Sequence, residues 1–107
     1  MTVEEFEPTC MQMITNSGSA KSSYIEAIQK AKAGQPEEAE RLMKEGDQFF
    51  TEAHSVHGNL LAQEASGEKV DFSLILMHAE DQMMNAEVIK IMAEQIVDLN
   101  ERLAKLE

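Results

Sequence analysis

After Pro36 the chain runs for 71 residues without another proline. Proline removes a backbone donor and clashes with the preceding turn, so a stretch this long without one leaves room for long helices. The residues present favour them. Ala, Leu, Met, Glu, Lys, Gln and Arg fill 60 of the 107 positions, and these are the strongest helix formers. No run of alternating apolar and polar residues points to a sheet, and there is no Gly-rich phosphate loop. The expected fold class is all-α.

Local punctuation divides the chain into three helices. Pro8 suits a first turn better than an interior, which predicts a first helix over about 7–32. Gly34 follows it as a natural left-handed terminator. Pro36 then opens a second helix over about 36–65, with Glu37 and Glu38 in the first turn where the helix dipole favours acids. Gly67 ends that helix. Ser73 is the expected N-cap of a third helix over about 73–105, with Asp71 as a competitor and Phe72 and Met77 placed for a hydrophobic staple. The first connection is short enough to force an antiparallel hairpin, so the expected architecture is an up-down-up three-helix bundle. One domain over 1–107 is expected.

Charge and cysteine content narrow the function classes. Nine basic residues stand against twenty acidic ones, a formal charge of −11, which disfavours nucleic acid and anionic membrane surfaces as partners. No apolar run approaches the roughly 20 residues of a membrane span. The first residues lack the basic region of a secretory signal, and Cys10 is alone. A cytoplasmic protein without direct membrane insertion is expected.

The apolar patterns add a core. Met11, Ile14, Gly18, Ile25 and Ile28 recur along one side of helix 1. Ala39, Leu42, Phe49, Ala53, Val56 and Leu60 do so on helix 2, where Gly46 interrupts the row and would let a neighbour come close. Helix 3 carries one long row, from Leu74 through Val88, Met92, Ile96, Leu99 and Leu103 to Leu106. Three successive polar residues interrupt it: His78, Asp81 and Asn85. Met77, Met84 and Ile91 widen the row on one side, Ile75, Ile89 and Ala93 on the other. So wide a face exceeds what two sister helices can cover, which makes helix 3 a candidate oligomer interface.

A carboxylate inside such a row must be paired, protonated or bound to a cation if it is buried. No Lys or Arg lies three or four residues from Asp81. Copies of this helix meeting at an axis would bring several Asp81 side chains together, and a shared divalent cation would relieve their repulsion. His78 falls in the second turn of helix 3, and helical side chains lean toward the N-terminus. A phosphate on its ring would therefore meet the positive end of the helix. Gln82, at i+4, is placed to donate to the ring or its adduct. Two other readings stay open at this point. His54 and His57, spaced i,i+3 on helix 2, could combine with His78 and Asp81 as a metal-binding bundle. Alternatively, the polar row only sets register in a helical adaptor or regulatory protein. Eight methionines, with Met77, Met83 and Met84 near His78, suit core filling or an adaptable groove.

Several segments together resemble the lactose/cellobiose (chitobiose)-type enzyme IIA proteins of the bacterial sugar phosphotransferase system. Leu76-Met77-His78-Ala79-Glu80-Asp81-Gln82-Met83-Met84 is similar to that family's H-A-Q-D-H-L-M segment. Asn16-Ser17-Gly18-Ser19-Ala20-Lys21-Ser22 resembles its N-S-G-x-A-R-S stretch, and Glu52-Ala53-His54 its E-A-H. Gln63 to Glu68 resembles the turn before its third helix. The resemblance implies a homotrimeric phosphoryl carrier. His78 would accept phosphate from the general histidine phosphocarrier protein and pass it to a cysteine of a sugar-specific IIB protein. Asp81 would lie at the trimer centre and share a magnesium ion. Three positions depart from the pattern. Glu80 stands where Gln is usual and points about 160° from His78 around the helix. Gln82 replaces a usual His. His57 stands where Gln is common.

Overall fold

α1 begins four residues earlier than Pro8 suggests. In a computed structural model covering residues 1–107, it spans Val3–Lys32. Thr2 caps it: the hydroxyl accepts from the Glu5 backbone N–H, and the Glu5 carboxylate accepts from the Thr2 N–H. This capping box satisfies two of the helix's orphan donors. Pro8 therefore lies inside the helix rather than at its start. Its missing donor falls on an exposed turn, where water can serve the unpaired carbonyl. Extending the helix also carries Phe6 into full burial, which contributes about 2 kcal/mol.

α2 spans Pro36–Ala65 and α3 spans Leu74–Ala104. Both glycines act as read from the sequence. Gly34 has φ +76°, its N–H donates to Ala31 and the next N–H, of Gln35, reaches back to Lys30. Gly67 has φ +100°, with the same pair of bonds from Gly67 to Glu64 and from Glu68 to Gln63. These are Schellman endings, and the left-handed residue in each costs glycine nothing. Ser73 caps α3 by accepting from Leu76 N–H at 3.2 Å. Phe72 and Met77, expected to staple that end, both stay exposed.

The three helices form an up-down-up bundle, a rod of 57 × 19 × 18 Å. α1 is its spine. It packs along both other helices, which touch each other much less. The buried face of α1 is Phe6, Cys10, Met13, Ser17, Ala20, Ser23, Tyr24 and Ala27. This corrects the expected stripe: Met11 and Ile25 are half exposed, while the buried face alternates the large Phe6, Met13 and Tyr24 with the small Ser17, Ala20, Ser23 and Ala27. Between the large ones, the small side chains let helix backbones approach closely.

Gly46 shows that closeness. A Cβ on it would sit 2.5 Å from Cε1 of Tyr24, so the ring occupies the space that glycine leaves. The Tyr24 hydroxyl donates to Asp47 Oδ1 at 2.6 Å, and Lys90 Nζ lies 3.5 Å from the same oxygen. One tyrosine thus ties α1 to α2, and a lysine ties α3 to the same carboxylate. Burial, and then the Asp47 carboxylate, push the Tyr24 hydroxyl far above the usual phenol range. Around Phe6, Cys10 and Met13 a second cluster gathers Ala53, Leu60, Ala79 and Met83.

Candidate functional site

The first turn of α3 sets the local electrostatics. α1 and α2 carry acids in their first turns; α3 carries none. Ser73 satisfies the N–H groups of Leu76 and Met77 through its side chain and carbonyl. Those of Leu74 and Ile75 remain free, so the positive end of the helix dipole is uncompensated by charge.

His78 follows in the next turn and is exposed. It faces outward with Asp81 and Asn85, as the row on the sequence requires, and no other side chain hydrogen-bonds its ring. Asp81 is exposed too, so within one chain it is not the buried carboxylate that the row suggests. Its one polar neighbour is Asn85, whose Nδ2 lies 3.5 Å from Oδ2. Around these polar residues the apolar row stands in the open. Leu74, Met77, Met84, Val88, Met92, Leu99 and Leu103 are each at least half exposed. A contiguous apolar face of this kind on a folded bundle marks an interaction surface.

Gln82 behaves differently from its neighbours. It is partly buried, and its Oε1 accepts from Lys21 Nζ at 2.7 Å. The structure thus joins the turn after His78 to the middle of α1. Lys21 was contained in the Asn16–Ser22 stretch but nothing in the spacing gave it a role. Its partner is 61 residues away, beyond the reach of any helical period.

The histidines of α2 are elsewhere engaged. His57 Nε2 lies 2.7 Å from Glu80 Oε1, on the flank of α3 away from His78. The His54 ring sits tilted against Phe50, centroids 6.1 Å apart. No three His, Cys, Asp or Glu side chains come together within the chain, so His54, His57, His78 and Asp81 do not form the metal bundle weighed above. Cys10 is fully buried, and burial, then Glu80 and Glu7, raise its thiol above the ordinary range. It is no nucleophile in this setting.

What remains is an exposed imidazole beside a bare helix N-terminus, with an amide donor one turn on. Such a group can take and release an electrophile that carries negative charge. The fold and this site define an α-helical bundle with an open surface site rather than an enclosed pocket.

Comparison with known proteins gives that class its family. The family described as the lactose/cellobiose-specific IIA subunit of the PTS system matches residues 8–101. The chain belongs to this family, and it is accordingly a phosphotransferase component with a phosphoryl-carrier role. The lichenan-specific phosphotransferase enzyme IIA component of Bacillus subtilis (strain 168) is 37% identical over 102 residues, covering 95% of this chain and 93% of the relative. The crystal structure of the PTS cellobiose-specific enzyme IIA from Bacillus anthracis superposes with a TM-score of 0.90 at 39% identity, over 92% of this chain and 91% of that one. The IIA(chitobiose) of a solution IIA(chitobiose)–HPr complex superposes with a TM-score of 0.81 at 29% identity, over 92% and 96%. No helix of the chain is long and apolar enough to cross a membrane.

Proposed function

We propose that His78 is the residue that carries the phosphoryl group, with Gln82 supporting it. The observation behind this reading is the exposure of His78 on the outward face of α3, one turn past a helix start with free N–H groups and no acids. A ring nitrogen takes the group from a phosphohistidine of the general phosphocarrier protein and gives it to a cysteine of a sugar-specific IIB protein. The existence of a related IIA in complex with HPr supports the first partner. Such transfer needs alignment and charge stabilisation more than covalent chemistry from the protein, which an open site can supply. The three relatives above are named for three different sugars, and this chain's own residues do not name one. A cytoplasmic location fits these partners.

The working form in this reading is a homotrimer. α3 presents more apolar surface than its own bundle covers, and a trimer would bury it around a common axis. Each chain brings a single carboxylate, Asp81, to that axis. One chain alone therefore offers too few oxygens for a hard cation, while three converging carboxylates suit magnesium. The ion would be structural, neutralising their repulsion.

Incubation with phosphorylated carrier protein, followed by intact mass and peptide mapping, tests the assignment. Acid-labile, alkali-stable phosphate is expected on His78. His78→Ala should abolish incorporation without changing helicity, and His54→Ala should leave it largely in place. Full labelling of His78→Ala would overturn the reading in favour of another nucleophile, and no label on the wild type would favour a regulatory relative.

A further inference from the structure

Gln82 sits one turn after His78, and its carboxamide is held from across the bundle. Lys21 Nζ donates to Gln82 Oε1 at 2.7 Å in a partly buried contact. An ammonium has three donors and no acceptor, so it can meet only the oxygen of the amide. That fixes the orientation: oxygen toward Lys21, NH2 group on the opposite side. The NH2 group makes no hydrogen bond within the chain, and His78 lies one turn earlier, on the N-terminal side toward which helical side chains lean. Lys21 itself makes no ion pair with any carboxylate, although the chain holds twenty acids. Its polar engagement is with Gln82.

We propose that Lys21 is a positioning residue for phosphoryl transfer at His78, acting through Gln82, whose NH2 group it holds ready to donate to the phosphoryl oxygens. The proposal rests on His78 as the carrier. In the step concerned, the lone pair of a neutral ring nitrogen of His78 forms a new N–P bond as the donor's N–P bond breaks. The donor ring keeps the electron pair of the broken bond and leaves as neutral imidazole, its other nitrogen still protonated. His78 retains the proton on its far nitrogen. Charge on the phosphoryl oxygens spreads during the exchange, and a donor already oriented stabilises it without first surrendering rotamer freedom. An unheld glutamine would sample both amide orientations, and one of them turns an acceptor toward the phosphate.

Initial rates of transfer from the phosphorylated general phosphocarrier protein to the full chain test this, by rapid quench and intact mass. Lys21→Met should slow transfer roughly tenfold, as should Gln82→Ala. The double variant should be no slower than Gln82→Ala alone, within about twofold, because one acts through the other. Lys21→Arg should restore most of the rate, since guanidinium likewise can only donate. The phosphorus resonance of phosphorylated Lys21→Met should move from its wild-type position, which a lysine that merely supports the fold would leave in place. Wild-type rates in Lys21→Met, or losses that multiply in the double variant, would overturn the proposal while leaving His78 as the carrier. Absence of label on wild-type His78 would overturn the His78 assignment first, and this proposal with it.

Discussion

His57 Nε2 and Glu80 Oε1 meet at 2.7 Å, joining α2 to α3. These are two of the three positions where the sequence departs from the pattern it resembles, and the structure brings them together at one contact. Two glutamines could exchange only neutral hydrogen bonds; here an imidazole and a carboxylate make the contact. The contact sits where the bundle is least packed, since α2 and α3 otherwise meet sparsely.

The pair should therefore be coupled in stability. A double-mutant cycle of His57→Ala and Glu80→Ala in urea should give an interaction of about 1 kcal/mol, reduced from a fully buried value because Glu80 is partly open to water. His57→Gln with Glu80→Gln should fold with near wild-type stability. A coupling indistinguishable from zero would mean the contact is incidental.

Gly46→Ala should destabilise the bundle by about 1–2 kcal/mol. Helix propensity alone favours alanine by up to about 1 kcal/mol, but a Cβ 2.5 Å from the Tyr24 ring forces overpacking that outweighs it. The ring cannot easily retreat, because its hydroxyl is bound to Asp47. In a Tyr24→Ala background the same change should turn neutral or stabilising, as measured by denaturant midpoints.

Alkaline pH should weaken the fold. Both Cys10 and Tyr24 are raised in the folded chain, chiefly by burial, so folding favours their neutral forms. Their contribution is complete below the unfolded values, roughly 8.5 for a thiol and 10 for a phenol, and is lost as pH climbs past them. Melting temperatures should fall steadily from about pH 9 upward. Native Cys10 should resist a thiol reagent near neutral pH and react promptly once urea unfolds the chain. Fast labelling of the native protein would contradict its burial.

Asp81→Leu and added magnesium should each strengthen self-association, and chelation should weaken it in wild type. The reason is the same in all three cases: three carboxylates that converge repel unless removed or neutralised. Sedimentation of both proteins, with and without chelator, decides the matter. A monomer under every condition would refute the trimer and the shared Asp81 site.

Helix boundaries were legible wherever one residue type has a single local job. Pro36, Gly34, Gly67 and Ser73 each act within a turn of their own position, and each sits where its chemistry requires. Gly46 was legible for the same reason. The start of α1 was not, because the exposed side of Pro8 and the capping box at Thr2 and Glu5 offset the usual cost of an interior proline. The register of α1 was misread for a different reason. Hydrophobic periodicity ranks faces by apolar content, and Met11 and Ile25 outrank Ser17, Ala20 and Ser23 on that scale. The bundle buries those small residues beside Phe6, Met13 and Tyr24, where close helix approach gains more than added bulk would. At the site, His78 and its polar row stood out along one helix, whereas Lys21–Gln82 and His57–Glu80 link residues on different helices. Contacts of that kind have no period to read.

The openness of His78 has a consequence for traffic. In the single chain His78 stands open and nothing encloses it, so any concavity around it must come from a neighbouring copy or from the partner that visits. Two partners that each wrap the same ridge cannot do so at once. If His78 is the carrier, donor and recipient must alternate, and the phosphorylated and unphosphorylated forms become the only memory passed between them. Sequential delivery is then enforced by crowding at one atom, without any moving part in the bundle.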